Sequence, residues 1–125
     1  LVYGDQRGAA YADFNGDGRL DLAVSQNGAA TRLFQNHGAK PGLRVRLQGP
    51  ASNPDGVGAQ VRVVYGDRMG PVREIQAGSG YWSQNSAVQV FGLSGTPTAV
   101  WVRWPGGATA KVSVPAGARE VMVKR

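Results

Sequence analysis

Oxygen-bearing side chains recur at Asp13, Asn15, Asp17 and Asp21, with Gly18 between the third and the fourth. Carboxylate and amide oxygens at alternate loop positions can converge on one hard cation such as Ca2+, and a glycine at Gly18 permits the backbone angle of a sharp turn. The first six positions follow the start of an EF-hand loop; the seventh, Arg19, can offer its backbone carbonyl, and the ninth is Asp21. The twelfth is Val24, where an EF-hand needs a bidentate glutamate. Residues 9–14 and 20–25 alternate or run apolar like strands, not helices. The expectation is a calcium loop between two strands. Three of the chain's eight acidic residues fall between Asp13 and Asp21. Alone they would repel one another, and a divalent ion lowers their summed charge to about −1. The competing reading is a polar hairpin turn, since Asn-Gly and Asp-Gly are common turn dipeptides. A plain turn has no need of Asp13 and Asp21.

Other chemistry is weakly signalled. The single histidine, His37, lies in a loop and reads as surface. Ser79 in Gly78-Ser79-Gly80 lacks the spacing of a nucleophile elbow. Asp13 and Asp17 could pair as glycosidase carboxylates, but such a pair needs one carboxyl in an apolar pocket, and both sit in a polar, glycine-rich loop. With no nucleophile–base pair, the expectation is a protein that is not an enzyme. The best candidate binding surface is Gly78 to Ser86. There Tyr81 and Trp82 can stack on sugar rings or pack a partner, and Gln84 and Asn85 can hydrogen-bond. The plainer alternative has an aromatic plugging the end of a sandwich while the amides cap loose strand ends.

These residues need strands to hold them. The chain has 125 residues, enough for one ordinary domain or two small units. Nineteen glycines and seven prolines punctuate short apolar segments, an all-β pattern. Strands are expected over 9–14, 20–25 and 31–35, with a turn at 26–30 and a connector at Lys40-Pro41-Gly42; residues 1–8 read as a lead-in. Three such short strands cannot bury a core alone. Strands then follow over 43–48, 59–65, 72–76, 88–93, 99–104, 110–114 and 119–123, the last two pairing last, as a β-sandwich or open barrel. Leu43, Val45 and Leu47 should face the core, Arg44 and Arg46 water. Trp104 should share the core face with Val100 and Val102, leaving Trp101 beneath Arg103 on the other.

The absence of cysteine excludes disulfides and thiolate metal sites. No apolar run approaches the ~20 residues of a membrane helix. The net charge is +6 and the pI about 10.3. The arginines are scattered over separate segments without a lysine run or aromatic ladder, which argues against nucleic acid; dispersed on outer strand faces they read first as a solvated surface, with an acidic glycan or protein partner as the alternative. Leu1-Val2-Tyr3 reads as the middle of something, so a fragment or processed product is expected.

The run Tyr11-Ala12-Asp13-Phe14-Asn15-Gly16-Asp17-Gly18-Arg19-Leu20-Asp21-Leu22-Ala23-Val24, then Arg32-Leu33-Phe34-Gln35-Asn36, resembles an FG-GAP/VCBS repeat. The resemblance implies one blade of a β-propeller, as in integrin alpha chains, binding calcium through Asp13, Asn15, Asp17, Asp21 and the Arg19 carbonyl. The motif occurs once, so the chain cannot close a propeller by itself and is expected to carry the last blade of a longer protein. Downstream, Gly42-Leu43-Arg44-Val45-Arg46-Leu47, Asn53 through Ala59, Gly78-Ser79-Gly80-Tyr81 with Ser83-Gln84-Asn85, Phe91-Gly92-Leu93 and Val102-Arg103-Trp104-Pro105-Gly106-Gly107 resemble the ASPIC/UnbV domain over about residues 42–112. That family commonly follows FG-GAP repeats, in cartilage acidic proteins and in many bacterial secreted proteins, and implies an extracellular or periplasmic β-domain with no established activity. The cartilage relatives are acidic and this chain is basic, so partner charge does not carry over. The expected organisation is a blade-like unit with a calcium loop over 1–38, packed on or linked to a β-sandwich-type domain over 39–125. The expected function is recognition, adhesion or scaffolding within a secreted protein, the alternatives being a carbohydrate-binding module or the accessory domain of a secreted enzyme.

Overall fold

The computed structural model describes residues 4–125, so Leu1-Val2-Tyr3 lies outside the described residues. Among these the chain is all-β, with no helix and no sheet closed into a barrel. The first unit is a three-stranded antiparallel sheet: β1 (Asp5–Ala12), β2 (Asp21–Asn27) and β3 (Ala29–Phe34), in that order. β1 starts at Asp5, inside the stretch read as a lead-in, because its polar first half still pairs with Gln26 and Asn27. β2 and β3 form a tight hairpin with Gly28 at a left-handed φ of 72°, so the turn expected over 26–30 shrinks to its Asn-Gly centre.

Eight further strands follow. β4 (Leu43–Gln48) lies between β8 (Gln89–Phe91), antiparallel, and β11 (Glu120–Lys124), parallel. The second sheet runs β10 (Thr109–Ser113), β9 (Ala99–Arg103), β5 (Gln60–Tyr65), β6 (Arg68–Met69), with β7 (Arg73–Glu74) also on β5. The last two long strands therefore do not pair with each other: β10 folds back on β9 and β11 crosses to β4. β6 follows β5 at once, because the tight connection at Gly66 returns the chain directly onto β5.

Both of these sheets feed one core. Leu43, Val45 and Leu47 from β4, Val61 and Val63 from β5, Val100 and Val102 from β9, and Val121 and Val123 from β11 are buried together with Ile75, Phe91 and Trp104. The alternation along β4 and β9 places these side chains as expected. The Trp101–Arg103 stack does not form. Trp101 stands opposite Arg62 and Lys111, and the cation–π contacts are Arg68 over Tyr65 and Arg73 over Phe91, both at 4.6 Å. The three-stranded sheet contributes no residue to the core cluster. Its register aligns Tyr11, Leu22 and Phe34 in one row, and all three are exposed.

Candidate functional site

β1 ends at Ala12 and β2 begins at Asp21, so the loop 13–20 hangs between two paired strands. Gly16 and Gly18 both adopt left-handed φ, 75° and 82°. Gly18 has a second reason to lack a side chain: a Cβ there would lie 3.0 Å from the Gly42 carbonyl. The Gly42 N–H donates to the Gly18 carbonyl at 2.8 Å, fastening the loop to the connector ahead of β4.

Asp13 is the anchor of the loop. Its side chain is 1% exposed. Oδ1 accepts from the Asp17 N–H at 3.0 Å and Oδ2 from the Gly18 N–H at 2.8 Å. Asn15 Oδ1 accepts from the same Asp17 N–H at 3.1 Å, and the Asn15 amide donates to Asp17 Oδ2 at 3.2 Å. These bonds bring Asp13, Asn15 and Asp17 together. Asp21, also buried, accepts from the Asn36 N–H at 2.7 Å and, more weakly, from the Phe14 N–H at 3.4 Å. It closes the far side of the loop and ties it to the segment after β3. Arg19 turns its side chain inward: its guanidinium lies 3.2 Å from Asp17 Oδ2 and donates to the Ala39 carbonyl at 2.6 Å. Desolvation pushes the Asp17 carboxyl up, but hydrogen bonds from the Arg19 N–H and the Asn15 amide, with the Arg19 guanidinium, outweigh it and hold it below its ordinary value.

A residue that sequence reasoning placed in water completes the site. Arg44 does point away from the core, but the loop covers that face, and its side chain is 17% exposed. Its Nε stands 3.0 Å from Asp13 Oδ2, and its Nη1 donates to Glu120 Oε2 at 2.6 Å. The Nε is buried without a properly directed acceptor, so the contact with Asp13 is ionic rather than a linear hydrogen bond. Arg46, two residues on, is exposed as expected, with Glu120 Oε1 at 3.6 Å. The signal for Arg44 was available: a cluster of carboxylates, a short connector, and a basic strand within reach.

Among the described residues, no three acidic or histidine side chains stand together as a ready-made metal cage. The donor chemistry nevertheless fits a hard cation. Asp13 Oδ1, Asn15 Oδ1, Asp17 Oδ1 and Asp21 Oδ1 each face a single backbone N–H among the described residues, leaving a second lone pair on every one.

The second candidate surface divides in two. Tyr81 and Trp82 sit at the tip of a turn closed by Gly80 and Ser83, and are 70% and 82% exposed. They plug nothing. Their rings meet edge to face at 6.0 Å, and Arg7 lines the same shallow depression. Trp82 holds a left-handed φ of 51°, a strained value for an aromatic residue. Gln84 and Asn85 face elsewhere, into a cleft of about 430 Å³ shared with Tyr11, Phe14 and Leu33. Asn85 Oδ1 bonds the outer edge of β1 by accepting the Tyr11 N–H at 3.0 Å, while Ser79 Oγ accepts the Asn85 N–H. The four residues therefore do not form one site. His37 is exposed.

Over the described residues the fold defines a helix-free β module whose second part has its own core. Residues 49–125, more than half of the chain, match the family described as ASPIC and UnbV, and the chain belongs to that family. The match begins after β4, although β4 is hydrogen-bonded to β8 and β11 inside it, and it reaches beyond residue 112 to include β11. No curated protein gives a significant match to the chain.

Proposed function

We propose that this chain is a non-catalytic, calcium-binding β module of a secreted protein, acting in recognition, adhesion or scaffolding outside the cytoplasm. The observation that carries this reading is the loop 13–21, whose four oxygen-bearing side chains each keep a lone pair for a cation. Calcium there would be held by Asp13, Asn15, Asp17 and Asp21 with the Arg19 carbonyl, and would supply charge neutralisation and stiffness rather than reaction chemistry. The spacing of these residues supports the FG-GAP/VCBS likeness of the first unit. The exposed row Tyr11, Leu22 and Phe34 supports a neighbouring blade from an N-terminal propeller as its cover, since a three-stranded sheet with one bare apolar face is marginal alone.

Thermal melting in millimolar calcium against excess chelator tests the reading, on the wild type and Asp17→Ala. Linkage predicts about 2.7 kcal/mol of added stability at ~100 times the dissociation constant, absent in the variant. If neither protein shifts, the loop is a turn only and the calcium reading is wrong.

The exposure of Tyr81 and Trp82 favours a second reading, a carbohydrate-binding module, with Arg7 able to add a hydrogen bond or charge. Gln84 and Asn85 are not on that face and leave this version of the site. A glycan array decides: binding abolished by Trp82→Ala supports it, and binding indifferent to that change removes it. Docking onto a catalytic partner, as an enzyme's accessory domain, would appear instead as co-purification with the full-length protein.

A further inference from the structure

We infer that Arg44 sets the divalent-cation affinity of the loop 13–21, standing against Asp13 as a built-in counter-charge, and that Glu120 limits how firmly it does so. The inference rests on the calcium reading of that loop and deepens it.

The charge balance carries the first step. Three loop carboxylates, on Asp13, Asp17 and Asp21, face two guanidiniums, on Arg19 and Arg44, so the cluster retains about one negative charge. A divalent ion added to that arrangement would overshoot to about one positive charge. Withdrawing Arg44 alone would leave the loaded loop neutral. The ion and the Arg44 guanidinium therefore compete for Asp13, whose side chain is almost wholly withdrawn from water.

The geometry says how Arg44 can yield. Its contact with Asp13 lacks a directed hydrogen bond, whereas its contact with Glu120 is a short, charge-assisted one. Arg44 and Glu120 are direct partners across the parallel β4–β11 pair, so both side chains leave the same point of the sheet. Glu120 is thus a resting place to which the guanidinium can swing when a cation takes Asp13. Because Arg44 belongs to β4 and Asp13 to the other unit, cation binding and the docking of the two units become one equilibrium.

The test is isothermal titration of the chain with CaCl2, on the wild type, Arg44→Gln, Arg44→Lys and Glu120→Gln, with near-ultraviolet circular dichroism to verify folding. Arg44→Gln should tighten calcium binding roughly tenfold, the scale of removing one unit charge a few ångströms away. Glu120→Gln should weaken it several-fold by leaving Arg44 only Asp13, and Arg44→Lys, which keeps the charge, should stay near the wild type. A purely structural latch predicts the opposite for Arg44→Gln, because loosening the junction would disorder the loop and weaken binding. Affinities that match the wild type in every variant, or weaker binding in a folded Arg44→Gln, overturn the role of Arg44 and leave the calcium site standing. Calcium bound by neither the wild type nor folded Arg44→Gln overturns both.

Discussion

Asp13→Ala should destabilise the protein even when every divalent cation is chelated. The Gly18 N–H is buried and has Asp13 Oδ2 as its acceptor, so truncation leaves an unsatisfied donor costing about 1–3 kcal/mol. The Asp17 N–H loses less, because Asn15 Oδ1 still accepts from it at 3.1 Å. Arg44 loses its ionic partner in a largely covered position. Breaking a fully buried pair costs about 3–5 kcal/mol, but Arg44 keeps Glu120 and some solvent, so roughly 1 kcal/mol is the appropriate share. The sum is about 2–4 kcal/mol. Urea denaturation in chelator, followed by tryptophan fluorescence, measures it globally, and hydrogen exchange at the Gly18 amide measures it locally. Asp17→Ala is the control, since Asp17 is more exposed and braces mainly Arg19 and Asn15. The reasoning fails if Asp13→Ala costs no more than Asp17→Ala in chelator, or if the Gly18 amide keeps its protection.

Three further outcomes are expected. Gly42→Ala should cost about 1–3 kcal/mol by crowding, since a Cβ there would run into the Phe91 carbonyl and stand 3.0 Å from Val90 Cγ1; the Gly42 amide, bonded to the Gly18 carbonyl, should exchange faster. Trp104→Ala should cost about 3–5 kcal/mol in urea denaturation, because Trp104 is buried in the cluster shared by both sheets. The Asp17 carboxyl lies below its ordinary value of 3.8 in the folded protein, so its contribution is present above that value and is lost as pH falls through the lower folded one. Acid titration in chelator should therefore show the Arg19 amide, which donates to Asp17 Oδ1, losing exchange protection only below the ordinary carboxyl value, and Asp17→Asn should flatten that limb.

The strands of the second part were legible wherever burial imposes a two-residue period. β4 appears at its full expected length because Leu43, Val45 and Leu47 must reach the same core. β1 was too short on paper because Asp5 to Gly8 has no apolar alternation; those residues are strand through pairing with β2, a property of two segments rather than one. The parallel union of β4 and β11 has the same origin, since pairing between chain-distant strands leaves no mark in either strand alone. Arg44 is the instructive case in the site. Alternation put it on the outer face, and it is on the outer face, but that face is covered by a loop from the other unit. Tyr81 and Trp82 were read as one site with Gln84 and Asn85 because they are adjacent in sequence; the turn at Gly80–Ser83 sends the two pairs in different directions.

The two units are held together by different forces, and that difference should govern how the molecule responds to ions. The ASPIC/UnbV part is held by a buried apolar cluster, so its stability follows buried area and is largely indifferent to salt. In the three-stranded unit the order is reversed: Tyr11, Leu22 and Phe34 are exposed, and the residues withdrawn from water are Asp13 and Asp21. Its order at that end therefore rests on carboxylates bonded to backbone N–H groups and on Arg44 reaching across from β4. Such interactions respond to charge placed among them, whether from a cation or from a mutation. Chelation should accordingly act first on exchange of the Asp17, Gly18 and Asn36 amides while Trp104 stays packed. Equal and simultaneous loss of protection around Trp104 would show instead that the loop and the core are a single cooperative unit.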